Sequence, residues 1–235
     1  MQKIFKNHFF IAFLFLLLFS VIAFVPKIQH FGFYNDDWWQ IFGAENFGLD
    51  RFPEMYTSDR PARAYWHAFL YSIFGSNILP YQISAVGIRL LGSLALLWTL
   101  RLIWTKQTKA TLIISLLYLI YPGFLEQPNG FDYQIQQVAI TTFIFSLGLS
   151  VQSLNSQQLF GKMVFFLGSA IFAMITFFFM EYYVGLEIYR WLLFLCIYLR
   201  KNKLFPLKNT INYIIKLIPF SLSMVIFLFW RIFFF

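Results

Sequence analysis

The sequence predicts an all-α membrane protein, a polytopic transmembrane helical bundle of about seven spans. Of its 235 residues, 60% are hydrophobic and only 12% are charged, whereas soluble domains carry about 25% charged residues. The apolar residues gather in runs of about 20, the length that an α-helix needs to cross a lipid bilayer. The net charge of +8 does not indicate a nucleic-acid partner, because the basic residues are scattered between apolar runs and form no single basic face.

The first span is predicted from Phe9 to Val25, a stretch without charged residues. Lys3 and Lys6 precede it, as basic residues precede a signal peptide, but no small-x-small cleavage site follows and the apolar run is longer than usual for such a peptide. We therefore expect an uncleaved first helix. Six further spans are predicted at about 80–104, 109–125, 133–154, 163–181, 184–199 and 211–231. The spans 163–181 and 184–199 are almost continuous, so that a tight hairpin and one broken helix both fit.

Charge placement predicts the orientation of the chain, because Lys and Arg collect on the cytoplasmic side of membrane proteins. With a cytoplasmic N-terminus, the cytoplasmic segments contain Lys3, Lys6, Arg101, Lys106, Lys109, Lys162, Arg200, Lys201, Lys203 and Lys208. All ten acids then lie at or near the outer face: Asp36, Asp37, Glu45, Asp50, Glu54, Asp59, Glu126, Asp132, Glu181 and Glu187. We expect a multi-pass protein of the plasma or inner membrane whose long first loop is external.

Residues 1–235 are interpreted as one transmembrane domain, and the apolar ending at Phe235 predicts that a C-terminal part is missing. Cys196 is the single cysteine, which excludes an intrachain disulfide framework. The three histidines are far apart and no HExxH motif occurs, so no metal site is predicted. No cofactor is predicted either, and metal dependence stays an open question.

The external loop, about residues 27–79, carries the main candidate chemistry, since loops of this length without a function are uncommon. Asp36 and Asp37 are adjacent, and repulsion between them would raise one pKa and supply a general base. Trp38 and Trp39 suit the membrane interface. A structural interpretation is compatible with this one: Asn35 and Asp36 would cap a short helix that begins near Asp37.

A second helix of the loop is predicted over residues 61–74. Pro61 suits its first turn and Gly75 its C-terminal end, while Ser58 or Asp59 would cap it. Its aromatic residues Tyr65, Phe69 and Phe74 would face the membrane surface. Arg60 and Arg63, at its start, are either phosphate contacts or arginines that snorkel from an interfacial helix.

Several polar residues fall within the predicted spans, where an ionisable group indicates function by default. Arg89 would contact a lipid phosphate or pair with an acid of another helix. Glu187 and Arg190 lie three residues apart, so they share one helix face and would neutralise each other. Three glutamines lie near the start of the fourth span: Gln134, Gln136 and Gln137. They would either line a wet cavity together with Glu126 and Asp132, or only bond neighbouring helices.

Over roughly residues 8–200 the chain resembles the GT-C membrane glycosyltransferases, among them the protein O-mannosyltransferases and aminoarabinose lipid A transferases. Asp36-Asp37 is similar to the family's Asp-Glu pair. The stretch Arg60-Pro61…Tyr65-Trp66…Phe74-Gly75 is similar to its Lys/Arg-Pro-Pro…Tyr-Trp…Phe-Gly segment, although Ala62 replaces the second proline. Tyr121-Pro122-Gly123-Phe124 and the segment 181–187 resemble those of some bacterial members.

This resemblance implies an enzyme that moves a sugar from a polyprenyl-phosphate donor to an external acceptor, with inversion at the anomeric carbon. Asp36 would be the base and Asp37 its neighbour. The candidate substrate-binding residues are Arg60, Arg63, Arg89, Trp38 and His67. The expected partners are the donor and the lipid bilayer, and the oligomeric state stays open. The alternative is a non-enzymatic polytopic protein, such as a transporter piece or an assembly partner, but the concentration of acids in one external loop favours the enzyme.

Overall fold

The computed structural model describes residues 2–121, 130–201, 211, 213–215 and 217–234, with backbone only for 2–8 and 201. Within these ranges every regular element is helical and no strand occurs. The α-helices are α1 (Gln2–Ile28), α2 (Asp36–Phe47), α3 (Arg51–Tyr56), α4 (Pro61–Phe74), α5 (Ile78–Ile103), α6 (Thr108–Ile120), α7 (Gln134–Asn155), α8 (Leu159–Phe179), α9 (Glu187–Lys201) and α10 (Leu222–Phe233). Short 3-10 helices, Glu181–Leu186 and Ile218–Ser221, precede α9 and α10.

Six helical segments in the described ranges are long and apolar enough to cross a membrane: Phe9–Ile28, Ile78–Ile103, Gln134–Asn155, Leu159–Phe179, Glu181–Arg200 and Tyr213–Phe233. The prediction of an all-α, multi-pass membrane bundle is thereby confirmed. The predicted span 109–125 corresponds to α6, which has 13 residues and is shorter than a usual span. Residues 122–125 of that prediction lie outside the described residues.

Helix α7 packs extensively against both α5 and α8. Small and polar residues allow this close approach, as they do in other membrane helices. At Gly148 an added Cβ would lie 2.2 Å from the side chain of Trp98 and 2.6 Å from the hydroxyl of Thr99. The glycine is therefore required where α7 crosses α5. On the other side of α7, Ser146 donates to the carbonyl of Ser169 of α8 at 2.6 Å.

The segment from α8 to α9 is a hairpin of two antiparallel helices. Met180 leaves the helical conformation with φ −148° and ψ 104°, and the following 3-10 helix reverses the chain. The guanidinium of Arg190 then reaches back to the hydroxyl of Ser169 at 2.9 Å. Further along α9, Arg200 donates to the carbonyl of Ile103, at the end of α5, at 2.6 Å.

The external loop is folded as α2, α3 and α4 on a hydrophobic core that includes Phe52, Leu70, Tyr81 and Phe131. Helices α2 and α4 match the predicted ones, whereas the six-residue α3 was not predicted. The aromatic packing accounts for this order, since Phe131 and Tyr81 meet edge to face at 5.0 Å. Their position along the membrane surface stays a prediction.

Three local predictions in the loop were wrong. The side chain of Asn35 makes no cap hydrogen bond to α2, and Asn35 instead adopts φ 44°. Arg60, rather than Ser58 or Asp59, stands at the N-cap position of α4, again without a side-chain cap bond. Phe74 is partly buried against the loop core, and Ile73 is exposed in its place.

Candidate functional site

The two adjacent aspartates at the start of α2 have opposite environments. Asp36 is exposed, whereas Asp37 is fully buried, with 0% exposure. Consecutive helical residues point about 100° apart, so one turn of α2 presents one carboxylate outward and the other inward. The inward carboxylate of Asp37 accepts the backbone N–H of Asp132 at 2.7 Å and that of Tyr34 at 3.3 Å.

Burial raises the pKa of Asp37 to about 7. The two backbone hydrogen bonds oppose this rise, because they stabilise the ionised form, and the nearby charge of Asp132 adds to it. Asp37 thus becomes a carboxyl group that titrates near neutral pH. The sequence predicted such a perturbed carboxyl from the repulsion within the pair, but the main cause is burial rather than Asp36.

Asp132, just before α7, joins the loop to the bundle. Its carboxylate accepts the amide of Gln40 from α2 at 2.6 Å and pairs with the guanidinium of Arg63 from α4. Arg63 also donates to the hydroxyl of Tyr56 at 3.0 Å, and its guanidinium lies 4.1 Å from the centre of that ring. The sequence predicted Asp132 as an outer acid that could line a wet cavity, and it did not predict the pair with Arg63. The available signal was an acid two residues before an apolar span.

Two further residues complete this group. Burial raises the pKa of Tyr56 to about 12, and the charge of Arg63 opposes this rise. His67 is buried between aromatic rings, with Phe131 stacked at 4.2 Å, and neither ring nitrogen has a hydrogen-bond partner among the described residues. Burial and the charge of Arg63 lower the pKa of His67. We call Asp37, Gln40, Tyr56, Arg63, His67 and Asp132 the loop cluster.

Arg60 belongs to a separate ion pair. Its guanidinium makes two hydrogen bonds to the carboxylate of Glu181, at 2.7 and 2.8 Å, which tie the start of α4 to the turn after α8. Both side chains are about one quarter exposed, at 24% and 23%. The two arginines predicted to bind phosphate are therefore held by different carboxylates, Arg63 by Asp132 and Arg60 by Glu181.

An apolar groove begins beside Arg60. It has a volume of ≈ 490 Å³ and lies between α4, α8 and α10. Pro61, Ala62 and Tyr65 of α4 border one end, and residues of α8 from Ala170 to Phe178 and of α10 from Leu222 to Ile226 form the walls. Because the groove follows two membrane-spanning helices, it can receive a chain of hydrocarbon from the bilayer.

The remaining predicted site residues, Arg89 and Trp38, belong neither to the loop cluster nor to the described lining of the groove, and their own contacts are different. Arg89 is buried in α5, donates to the carbonyl of Tyr121 at 2.8 Å and lies 4.9 Å from the ring of Phe24. Trp38 is 62% exposed and meets Phe33 edge to face. Neither contact by itself indicates a substrate.

A second buried polar group occupies the middle of the bundle. Arg190 makes two hydrogen bonds to Glu187, at 2.7 and 2.9 Å, so the predicted neutralisation of this pair is confirmed. The same guanidinium donates to Ser146 at 2.8 Å and Ser169 at 2.9 Å, and to Ser150. These five residues are called the Arg190 cluster, and they join α7, α8 and α9.

The loop cluster and its surroundings offer a carboxyl group that titrates near pH 7, an exposed carboxylate and two paired arginines. In the described ranges no three His, Cys, Asp or Glu side chains are grouped as metal ligands would be. Polar acid–base chemistry at the loop, next to an apolar groove, is the chemistry that this arrangement supports. Comparisons with models of protein families, with curated proteins and with solved structures found no match to the chain.

Proposed function

We propose that the chain acts as a GT-C-like glycosyltransferase, which moves a hexosyl or pentosyl group from a polyprenyl-phosphate donor to an acceptor outside the membrane. The observation that carries this proposal is the apolar groove of ≈ 490 Å³ that ends at the first turn of α4. That helix belongs to the same folded loop as Asp36. The groove would thus bring a lipid-linked donor to the loop that carries this exposed carboxylate.

The donor would bind with its isoprenoid chain in the groove and its phosphate at the loop. Its isoprenoid chain would lie against Met174, Phe178 and Ile226, where burial of apolar surface stabilises it. Its phosphate would exchange with Glu181 for the guanidinium of Arg60, because arginine binds phosphate and carboxylate through the same two-pronged geometry. The partial exposure of this ion pair leaves it open to such exchange.

Asp36 would act as the general base. Its carboxylate takes the proton of the acceptor hydroxyl while the acceptor oxygen forms a bond to the anomeric carbon. The bond between that carbon and the phosphate oxygen breaks, and the polyprenyl phosphate leaves with the electron pair. Asp37 does not reach the acceptor in this scheme, because its carboxylate is buried; it holds the first turn of α2 against Asp132.

The experiment compares Asp36→Asn with Asp50→Asn in membranes that contain the full-length protein, with sugar transfer from a radiolabelled polyprenyl-phosphate donor as the measurement. Both residues are exposed, so folding should survive both changes. Loss of a general base lowers the rate by about 10² to 10⁴, and we expect this loss for Asp36→Asn alone. Equal activities of the two variants would exclude Asp36 as the base.

The proposal requires the loop to be outside the cell, with a cytoplasmic N-terminus, in the plasma or inner membrane. The ten Lys and Arg residues in the segments on the side of the N-terminus support this orientation, because Lys and Arg collect on the cytoplasmic side. In a background without Cys196, single cysteines at Asn46 and Asn202 should react with a membrane-impermeant reagent from opposite sides. Labelling of both positions from outside would contradict the orientation.

A second candidate function, a non-enzymatic assembly partner, is favoured by a different observation. Arg60 and Arg63 are both neutralised by carboxylates of this chain, as they would be in a purely structural loop. Under this alternative, Arg60→Gln would loosen the loop, and no variant of Asp36 would change any transfer reaction. The comparison of Asp36→Asn with Asp50→Asn therefore separates the two functions.

A further inference from the structure

A second candidate binding site lies at the end of the bundle opposite the external loop. We call this end of the bundle the basic end. It comprises the last turns of α5, α7 and α9 and the first turns of α1, α6 and α8. The bond from Arg200 to the carbonyl of Ile103 joins α9 to α5 there, and Ser153 of α7 donates to the carbonyl of Lys162 of α8 at 2.9 Å. Helix α7 has 22 residues, so this end is about 33 Å from the loop cluster.

A pocket of ≈ 230 Å³ opens at the basic end between α5, α7 and α9. Arg200 and Asn155 are its polar residues, and its walls are aliphatic: Leu102, Ile103, Val151 and Ile197. Sites for drug-sized ligands usually exceed about 300 Å³, so this pocket fits a headgroup rather than a whole large molecule. A polar corner next to aliphatic walls is the lining that an amphiphile requires.

The charge around the pocket has one sign. The described segments at this end contain Arg101, Lys106, Lys109, Lys162, Arg200 and Lys201 and no acidic residue. The helix dipoles do not cancel this positive charge. Three helices begin at this end and three end here, so their partial positive and partial negative charges balance each other. Arg200 has no carboxylate partner within the described residues, and one of its nitrogens is fixed by the carbonyl of Ile103.

We propose that this pocket binds the phosphodiester headgroup of an anionic phospholipid, from the leaflet at the basic end. The guanidinium of Arg200 provides the charged hydrogen bonds that a phosphate oxygen accepts, and the amide of Asn155 donates beside it. The aliphatic walls take the first carbons of the lipid chains. Basic pockets between membrane helices bind anionic headgroups in this way on the cytoplasmic side. The site does not depend on sugar transfer.

The test uses the full chain, purified in a neutral detergent, and native mass spectrometry after addition of dioleoyl-phosphatidylglycerol or dioleoyl-phosphatidylcholine. We expect retention of phosphatidylglycerol and little retention of phosphatidylcholine. Asn155→Asp puts a carboxylate in the pocket without touching the bond between Arg200 and Ile103, and each charge near such a headgroup contributes about 1 kcal/mol. Retention should therefore fall about fivefold in this variant.

Gln158→Glu is the matched control, because it makes the same change of charge at the same end, outside the pocket lining. It should retain phosphatidylglycerol almost as the unchanged protein does. Arg200→Lys keeps the charge but loses the planar fork, and we expect weakened retention in a folded protein. Equal retention of the two lipids, or equal loss in Asn155→Asp and Gln158→Glu, would overturn the proposal. If soluble glycerol phosphate displaced phosphatidylglycerol completely, the ligand of this pocket would not be a lipid.

Discussion

The Arg190 cluster and the loop cluster are both buried polar networks built around one arginine, and they differ in how completely their polar atoms are satisfied. Every guanidinium nitrogen of Arg190 has a hydrogen-bond acceptor. In the loop cluster, by contrast, the Gln40 amide oxygen, the Nε of Arg63 and both ring nitrogens of His67 have none among the described residues. Complete networks stabilise a fold. Incomplete ones, with shifted pKa values, are typical of functional sites.

The largest effect is expected at the Arg190 cluster. Arg190→Met leaves the carboxylate of Glu187 buried without its partner, which destabilises proteins by about 3–5 kcal/mol. The free energy of unfolding, measured in bicelles, should fall by this amount. Arg51→Met is the control, because the ion pair of Arg51 with Glu54 is exposed and contributes about 0–1 kcal/mol. A loss as small as that of the control would show that the Arg190 cluster does not hold the bundle together.

A smaller and more local effect is expected at the loop cluster. Arg63→Met removes a charged hydrogen bond from Asp132, and such bonds contribute about 1.5–3 kcal/mol. Asp132 keeps its bond to Gln40, so the bundle should stay folded while α2 and α4 open more often. Hydrogen exchange of amides in these two helices should accelerate, and that in α7 should not. Equal acceleration throughout would mean that both clusters belong to one cooperative unit.

Asp37 and Asp36 should differ in how their contributions to the free energy of unfolding depend on pH. The pKa of Asp37 is about 7 in the folded protein and about 3.9 in an unfolded chain, so the folded state binds the proton more tightly. Its contribution to stability is therefore complete below about pH 4 and is lost as the pH rises through 7. The unfolding free energy of the unchanged protein minus that of Asp37→Asn should decrease over this range. Asp36→Asn is the control, and a constant difference for Asp37→Asn would contradict the burial of its charge.

The smallest effect is expected at His67, whose ring nitrogens have no protein partner in the described ranges. His67→Leu removes these polar atoms and keeps an apolar contact with Phe52 and Phe131, so we expect a change in unfolding free energy within about 1 kcal/mol. The low pKa of His67 in the folded state means that its contribution is lost as the pH falls below about 6.5. The free energy of unfolding is measured against pH for both proteins, and this loss at low pH should be absent in His67→Leu. A large destabilisation would indicate that the ring nitrogens are bonded through water.

The sequence predicted part of the candidate site. It identified the acidic pair, both arginines and the pairing of Glu187 with Arg190, since adjacent acids and residues three apart on a helix are local patterns. It did not indicate that Asp132 would hold Arg63, because these residues are 69 positions apart. It also did not separate the roles of Arg60 and Arg63, whose partners lie after α8 and before α7.

What the sequence determined by itself is the helical membrane bundle, because the length and apolarity of a span are properties of consecutive residues. Pro61 and Gly75 likewise mark the ends of α4 through their own backbone preferences. Which aspartate is buried was decided only by the tertiary structure. Asp36 and Asp37 are chemically identical neighbours, and the contact that distinguishes them comes from Asp132, 95 residues along the chain. Burial depends on that distant packing, and with it the pKa of Asp37 and the exposure of Asp36.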